Sequence, residues 1–331
     1  MKAGNAVLLL AAFVFNVIPD TEQANWTYVY YPNGTIEDVD LTTEPVDLNH
    51  TETELDADVL FYLYTYDNQS TPVELHVNNS ETLSSSNFNA SNPTIVVIHG
   101  WQNTYESDMP TTVRDAYLET GDYNVIVVDW STYSTGSYIY ARRNIVSVGI
   151  YVAEMIDYLE EAGSLDTSML TVVGYSLGAH IGGEACRSAS SNVSNLMALD
   201  PAGPLFYFTN TEARMTSEDA EFVEVIHTSA GRLGYNGKLG DADYWPNGGL
   251  KQRGCGADIF ATCAHSRAYL YFAESLHENE FVARECSSYL KYRLGLCSLK
   301  SKSTMGGSVL ATYSTGKHFL RTNKKSPFYR G

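Results

Sequence analysis

The stretch "VVGYSLGAHIGG", residues 172–183, sets a serine between two glycines directly after a β-branched run and then continues in small residues. This pattern fits a nucleophile elbow, a sharp strand-to-helix turn that lifts a reactive serine clear of the backbone. In such a turn Gly174 and Gly178 remove Cβ clashes, while Ser176 holds a strained conformation at the apex. Ala179, Gly182 and Gly183 then let a helix pack close behind it. The letters G-x-S-x-G also arise by chance in a chain with 25 glycines, so the flanks and the partners of Ser176 must carry the reading.

The flanks supply a fold class. The runs "TIVVIHGW" (94–101), "YNVIVVDW" (123–130), "MLTVVGYS" (169–176), "NLMALDPA" (195–202) and "FVEVIHT" (222–228) have the length and β-branched content of buried parallel strands. Between them, Arg143 to Ala162 repeats apolar residues at Ile145, Val148, Val152, Met155, Ile156 and Leu159, the spacing of one helix face. Residues 177–190 read as a second helix. Strands alternating with helices predict an α/β fold whose mostly parallel central sheet is covered on both faces. No internal repeat is visible.

A serine hydroxyl needs a histidine to take its proton and an acid to orient that histidine. In α/β-hydrolases these follow the serine in the order acid, then histidine. Asp200, at the end of the run "NLMALDPA", is placed to present a carboxylate to the same rim. Asp129 also ends a strand, but it precedes the serine. Among later histidines, His227 ends a strand, while His265 follows Cys263 beside a helix start; position alone favours His265 and leaves His227, His277 and His318 open. An oxyanion requires two amide N–H groups aimed at one point. Leu177, after the nucleophile, and Trp101, in "VVIHGW", are the candidates. His99 precedes the serine and reads as support for that loop.

Composition narrows the rest. The net charge is -18, and no Lys or Arg lies between Lys2 and Arg114. Nucleic-acid binding is thereby excluded, and a polybasic contact with anionic membrane is disfavoured. Residues 1–24 read as a secretory signal peptide with no clean small-x-small cleavage pattern, and no later segment is apolar for long enough to span a bilayer. Seven N-x-S/T sequons, at Asn25, Asn33, Asn49, Asn68, Asn78, Asn89 and Asn192, agree with a secreted glycoprotein. Residues 25–52 form an acidic, tyrosine-rich, glycosylated arm or pro-segment without a core pattern, and 53–331 the catalytic domain. Cys255, Cys263, Cys286 and Cys297 suggest two local disulfides, with three connectivities open, and Cys186 reads as a buried thiol.

Six stretches in order, "VVIHGW", "VVGYSLGAHIGG", "LDPAGPLF", "VEVIHTSAGRLGY", "DYWPNGG" and "CAHSRAYLYFAES", resemble the pancreatic-lipase-like family of secreted lipases and phospholipases A1. The resemblance runs from about Ala57 to the end, and "FVARECSSY" is most similar to insect lipases and venom phospholipases A1. It implies an α/β-hydrolase fold and the triad Ser176, Asp200 and His265, with Trp101 and Leu177 as oxyanion donors. It also implies that Cys255–Cys263 closes a lid loop and that Cys286 pairs with Cys297. The chain stops at Gly331, so the carboxyl-terminal β-sandwich of larger relatives is not expected. The lid holds only "GADIFAT". The calcium site of some members would fall near "EARMTSEDA", where Glu212 is displaced and Thr216 replaces a carboxylate, so no metal or cofactor is expected.

The expected activity is hydrolysis of lipid acyl esters at a micelle or membrane surface, first a phospholipase A1 releasing the sn-1 fatty acid. The alternatives are a triacylglycerol lipase or galactolipase, or a non-catalytic lipid-binding protein of the yolk type. An intact triad argues against the last, because a binding protein needs none of it.

Overall fold

The computed structural model describes residues 26–30, 35–208, 212–277 and 280–330. The expected signal peptide and the sequons at Asn25 and Asn33 lie outside the described residues. The strands are β1 (Trp26–Tyr30), β2 (Ile36–Asp40), β3 (Leu60–Tyr64), β4 (Val73–Leu75), β5 (Thr94–Ile98), β6 (Asn124–Asp129) and β7 (Leu170–Tyr175). They continue with β8 (Asn195–Leu199), β9 (Phe222–Ile226), β10 (Ala242–Pro246), β11 (Val282–Glu285), β12 (Lys302–Thr304) and β13 (Gly316–Leu320). Eleven of them form one sheet in the order β12-β11-β13-β10-β9-β8-β7-β5-β6-β3-β4. From β13 to β6 every pairing is parallel, and antiparallel strands close both edges. This is the α/β-hydrolase fold, as expected.

The continuous apolar runs follow from burial on both faces. Every residue of β5, β6, β9 and β10 is buried, as is β8 from Leu196 onward. Val96, Ile98, Ile126 and Val128 join the core under the helices Ile145–Gly163 and Leu177–Ser188. Their alternates Ile95, Val97, Val125 and Val127 face the helices Asp108–Thr120 and Thr262–His277. The long helix begins at Ile145 rather than Arg143, because Tyr138–Arg143 forms a separate short helix ending at Asn144. Each expected strand overruns the observed one by two or three residues at its carboxyl end or by one. Those trailing residues leave the ladder to build the rim of the site.

The arm has more structure than its polar composition suggests. β1 and β2 pair as an antiparallel hairpin, and Val29 and Val39 are buried in the main core. Glu37 accepts a bond from the Tyr138 amide (2.9 Å), and Leu48 N–H donates to Arg143 O (2.7 Å). The wholly buried Arg142 donates to Asp47 Oδ1 (2.6 Å) and Glu44 Oε1 (3.4 Å) and lies over the Phe206 ring at 4.9 Å. Two inward valines separated by polar residues show no period, which is why the segment reads as unpacked. At its sequon Asn49 is exposed, as are Asn78, Asn89 and Asn192 at theirs. Asn68 differs: its Nδ2 donates to the carbonyls of Leu63 (3.1 Å) and Thr71 (3.3 Å), so a glycan there displaces one of these bonds.

Two predictions follow from this packing. Arg142→Met leaves Glu44 and Asp47 without their cation and should cost roughly 2–4 kcal/mol in urea unfolding. A protease that cuts before aspartate should then cleave the arm faster at Asp47; an unchanged cleavage rate argues that the valines alone hold it. The second concerns Glu224, buried in β9, whose Oε1 accepts from the Gly306 amide (2.6 Å). Burial pushes its carboxyl up to about 8, against the opposing pull of that hydrogen bond. The folded chain therefore keeps a proton that the unfolded chain loses near pH ~4.3, and stability falls as pH rises from there to about 8. Glu224→Gln should reduce that slope by up to about 1.4 kcal/mol per pH unit; equal slopes in both proteins would refute the assignment.

Candidate active site

β7 ends at Tyr175 and the helix Leu177–Ser188 begins two residues later, so Ser176 alone makes the turn, with φ 56° and ψ -119°. The glycines on either side are required by contact. A Cβ on Gly178 would stand 2.4 Å from the carbonyl oxygens of Ile98 and His99, and one on Gly174 2.3 Å from Gly178 O. Ser176 N–H donates to Leu199 O (3.1 Å), and Ala202 N–H donates to Ser176 O (3.2 Å), which laces the elbow to the end of β8. Leu177 opens the helix, so its amide belongs to the first-turn donors that no helix carbonyl can satisfy.

Asp200 follows β8 directly, with φ 45°. Its wholly buried carboxylate accepts from the amides of Thr228 (2.8 Å) and Ser229 (3.0 Å), from the Ser229 hydroxyl, and from His265 Nδ1 (2.6 Å). Burial alone would raise this carboxyl; the hydrogen bond and charge of His265, with Ser229 and Thr228, outweigh it and hold the pKa below the ordinary value. A proton kept on Nδ1 by Asp200 leaves Nε2 of a neutral imidazole as an acceptor. His265 sits in the first turn of Thr262–His277, and Asp258 caps that turn by accepting from the amides of Cys263 (3.1 Å) and Ala264 (2.8 Å). The Cys255–Cys263 disulfide ties the turn down, and the Tyr175 ring lies 4.6 Å from the imidazole.

The other histidines are engaged elsewhere. His227 Nε2 bonds Asp243 (2.8 Å) and stacks on Trp245 at 3.9 Å; His318 meets Ser314 (2.9 Å); His277 lies by Glu119 (3.5 Å). Thr228 and Ser229 were not singled out in the sequence. They follow β9, the parallel neighbour of β8, so the residues after the two strands stand side by side.

Opposite the histidine, a Cβ on Gly100 would fall 2.9 Å from the Ser176 Cβ, so the loop after β5 presses on the elbow. His99 Nδ1 donates to Gly100 O (2.9 Å), the carbonyl of the peptide whose N–H belongs to Trp101. Because the peptide is planar, that bond fixes the direction of the Trp101 N–H. His99 is held in turn by Asp129 (3.2 Å), its neighbour one residue past the register pair Ile98–Val128. Asp129, of the wrong order for a triad, thus belongs to the support of this loop.

Ser176 and His265 line one cavity of about 200 Å³, walled by Val29, Trp101, Tyr138, Leu233 and Phe260. The loop between Cys255 and Cys263 supplies Phe260, while Ile259 beside it is 73% exposed. Arg232 donates to the carbonyls of Asp258 (2.8 Å) and Ile259, holding the loop at the rim. In the stretch where the resemblance implied a calcium site, Arg187 donates to Asp219 (2.7 Å), to the Glu212 carbonyl (2.8 Å) and to Glu184. A guanidinium already neutralises these oxygens, so the residues do not fit a cation. Cys186 is a free, buried thiol, and Cys286 pairs with Cys297. No helix among the described residues is long and apolar enough to cross a membrane.

Comparison with known proteins places this geometry in a family. The Lipase family model matches residues 30–328. Pancreatic lipase-related protein 3 of Homo sapiens is 35% identical over 82% of the chain and 64% of its own length. Pancreatic triacylglycerol lipase of Myocastor coypus is 33% identical over 72% of the chain and 57% of its own length. Inactive pancreatic lipase-related protein 1 of Homo sapiens is 34% identical over 72% of the chain and 56% of its own length. The chain thus spans about three fifths of these relatives. One of them is named inactive, so membership alone carries no activity. With a match across nearly the whole described chain, the protein belongs to the lipase family, in its pancreatic-lipase-like branch.

Proposed function

We propose that the protein is a secreted serine esterase that hydrolyses lipid acyl esters, with Ser176, Asp200 and His265 as its triad. The observation that carries this is one cavity lined by a strained serine and by a histidine whose far nitrogen is held by a buried carboxylate. Ser176 Oγ attacks the acyl carbonyl as His265 Nε2 takes its proton. Asp200 stabilises the imidazolium, and the amides of Trp101 and Leu177 hold the oxyanion. The imidazolium then protonates the departing alcohol. A water molecule, losing its proton to His265, attacks the acyl-enzyme; the fatty acid leaves and the serine is restored. His99 and Ser229 are positioning residues, acting through the Trp101 peptide and the Asp200 carboxylate. The expected signal peptide, the sequons and the two disulfides support an extracellular setting.

Within this class the reading is a phospholipase A1. Seven residues between bridged cysteines are too few to cover a wide groove, so a polar head group can stay solvated while one acyl chain enters. The second reading is a triacylglycerol lipase, favoured by the name of the Myocastor coypus relative.

Ser176→Ala should lower kcat/KM at least ~10,000-fold with an unchanged melting temperature, and should abolish labelling by a fluorophosphonate. Substantial turnover in the folded variant removes the triad, and an unlabelled wild type supports the lipid-binding alternative. Rates on phosphatidylcholine, galactolipid and trioleoylglycerol, below and above each aggregation threshold, decide the substrate. The expectation is a smooth rise and faster cleavage of phosphatidylcholine; a sharp interfacial jump with trioleoylglycerol fastest would make it a triacylglycerol lipase.

A further inference from the structure

We infer that the knob closed by Cys286–Cys297 is a docking surface for an anionic lipid interface, separate from the catalytic cavity. Four leucines lie in ten residues there: Leu290 is 69% exposed, Leu294 64%, Leu296 69% and Leu299 101%. Single exposed leucines are ordinary, but a cluster of this density on a rigid element marks a contact surface. The knob is rigid for reasons that do not involve them. Tyr289 and Tyr292 turn inward, with ring centroids 5.9 Å and 6.1 Å from Phe319. Both cysteines are buried, and Arg284 donates to the carbonyls of Ser298 and Lys300 (2.8 Å) at the base. Leu290 and Leu294, four residues apart at the short helix Tyr289–Arg293, share its outer side.

Charge selects the partner. Lys291, Arg293, Lys300 and Lys302 are exposed among the leucines. From Cys286 to Gly331 the sequence holds nine Lys or Arg and no Asp or Glu. The nearest acid, Glu285, lies 3.7 Å from Lys300. The net charge of -18, which argues against contact with anionic membrane, is thus an average over two ends of opposite sign. Leucines interleaved with cations match an interface of anionic head groups over acyl chains, whereas a soluble polyanion has no use for the leucines. The site of the knob suits this role. A Cβ on Gly248 would meet the Tyr289 ring at 2.6 Å, so the knob packs against the carboxyl end of β10, the sheet end at which Ser176 and Asp200 leave their strands.

This goes beyond the esterase reading, because docking requires no turnover. The test is co-sedimentation with vesicles of phosphatidylglycerol and phosphatidylcholine, against phosphatidylcholine alone, at low and high salt. Turnover of a soluble short-chain ester is followed in parallel. L290S/L294S/L296S/L299S and K291E/R293E should each weaken binding to the anionic vesicles at least ~10-fold, with soluble-ester rates within ~2-fold of wild type. The leucines are exposed, so their replacement removes no core contact, and that variant decides if the charge variant misfolds. Vesicle binding unchanged in the leucine variant overturns the proposal. So does loss confined to the charge variant with parallel loss of heparin retention, which would make this a general polyanion site. Vesicle binding without ester turnover would sink the esterase reading and leave the docking surface standing.

Discussion

The close approach of β7, its helix and the loop after β5 is the constraint on which the rest depends. Ser176 holds φ 56°, a conformation that costs of order 1–3 kcal/mol for a residue with a Cβ. It persists because the backbone around it leaves no room to relax: Cβ atoms on Gly174, Gly178 or Gly100 would all fall within 2.9 Å of neighbouring atoms. The strain is held by a central strand with parallel partners on both sides. Once the elbow is placed, the strand order β8-β7-β5 sets its neighbours. The residue after β8 is Asp200 and the residues after β5 are His99 to Trp101, so the proposed acid and the proposed oxyanion loop arrive on opposite flanks of the serine.

Three imidazole–carboxylate pairs stand along this rim among the described residues with buried partners: His99–Asp129, His227–Asp243 and His265–Asp200. Their chemistry is the same and their surroundings differ. His99 and His227 are 0% exposed, so their rings can only hold structure. His265 is 8% exposed and lines the cavity with Ser176. Small differences in burial thus separate the proposed base from two struts. The struts still matter: His99 sets the plane of the Trp101 peptide, and Asp243 holds the His227 ring.

Charge is divided along the chain in a way that the total hides. The acidic arm is bound through buried Arg142 and brings Val29 to the wall of the cavity, so it shapes the site. The basic end carries the leucine knob. An anionic surface would be repelled by the first and attracted by the second.

Much of the fold was legible in the sequence because it is local. Continuous β-branched runs mean strands buried on both faces, and the three-and-four spacing from Ile145 to Leu159 means one buried helix face. The elbow is also local, since five consecutive residues contain its whole steric requirement. Where the ladder stops was hidden: His99 to Trp101 and Asp200 extend the apolar runs, yet they lie beyond the last paired residues of β5 and β8. Only the tertiary structure brought His265 rather than His227 to Asp200 across 65 positions, added Ser229 to the same carboxylate, and seated the arm on Arg142. The reason is physical. Periodicity records which side of an element is dry, whereas a contact between distant polar groups depends on which strands are neighbours and on how much water reaches the place where they meet.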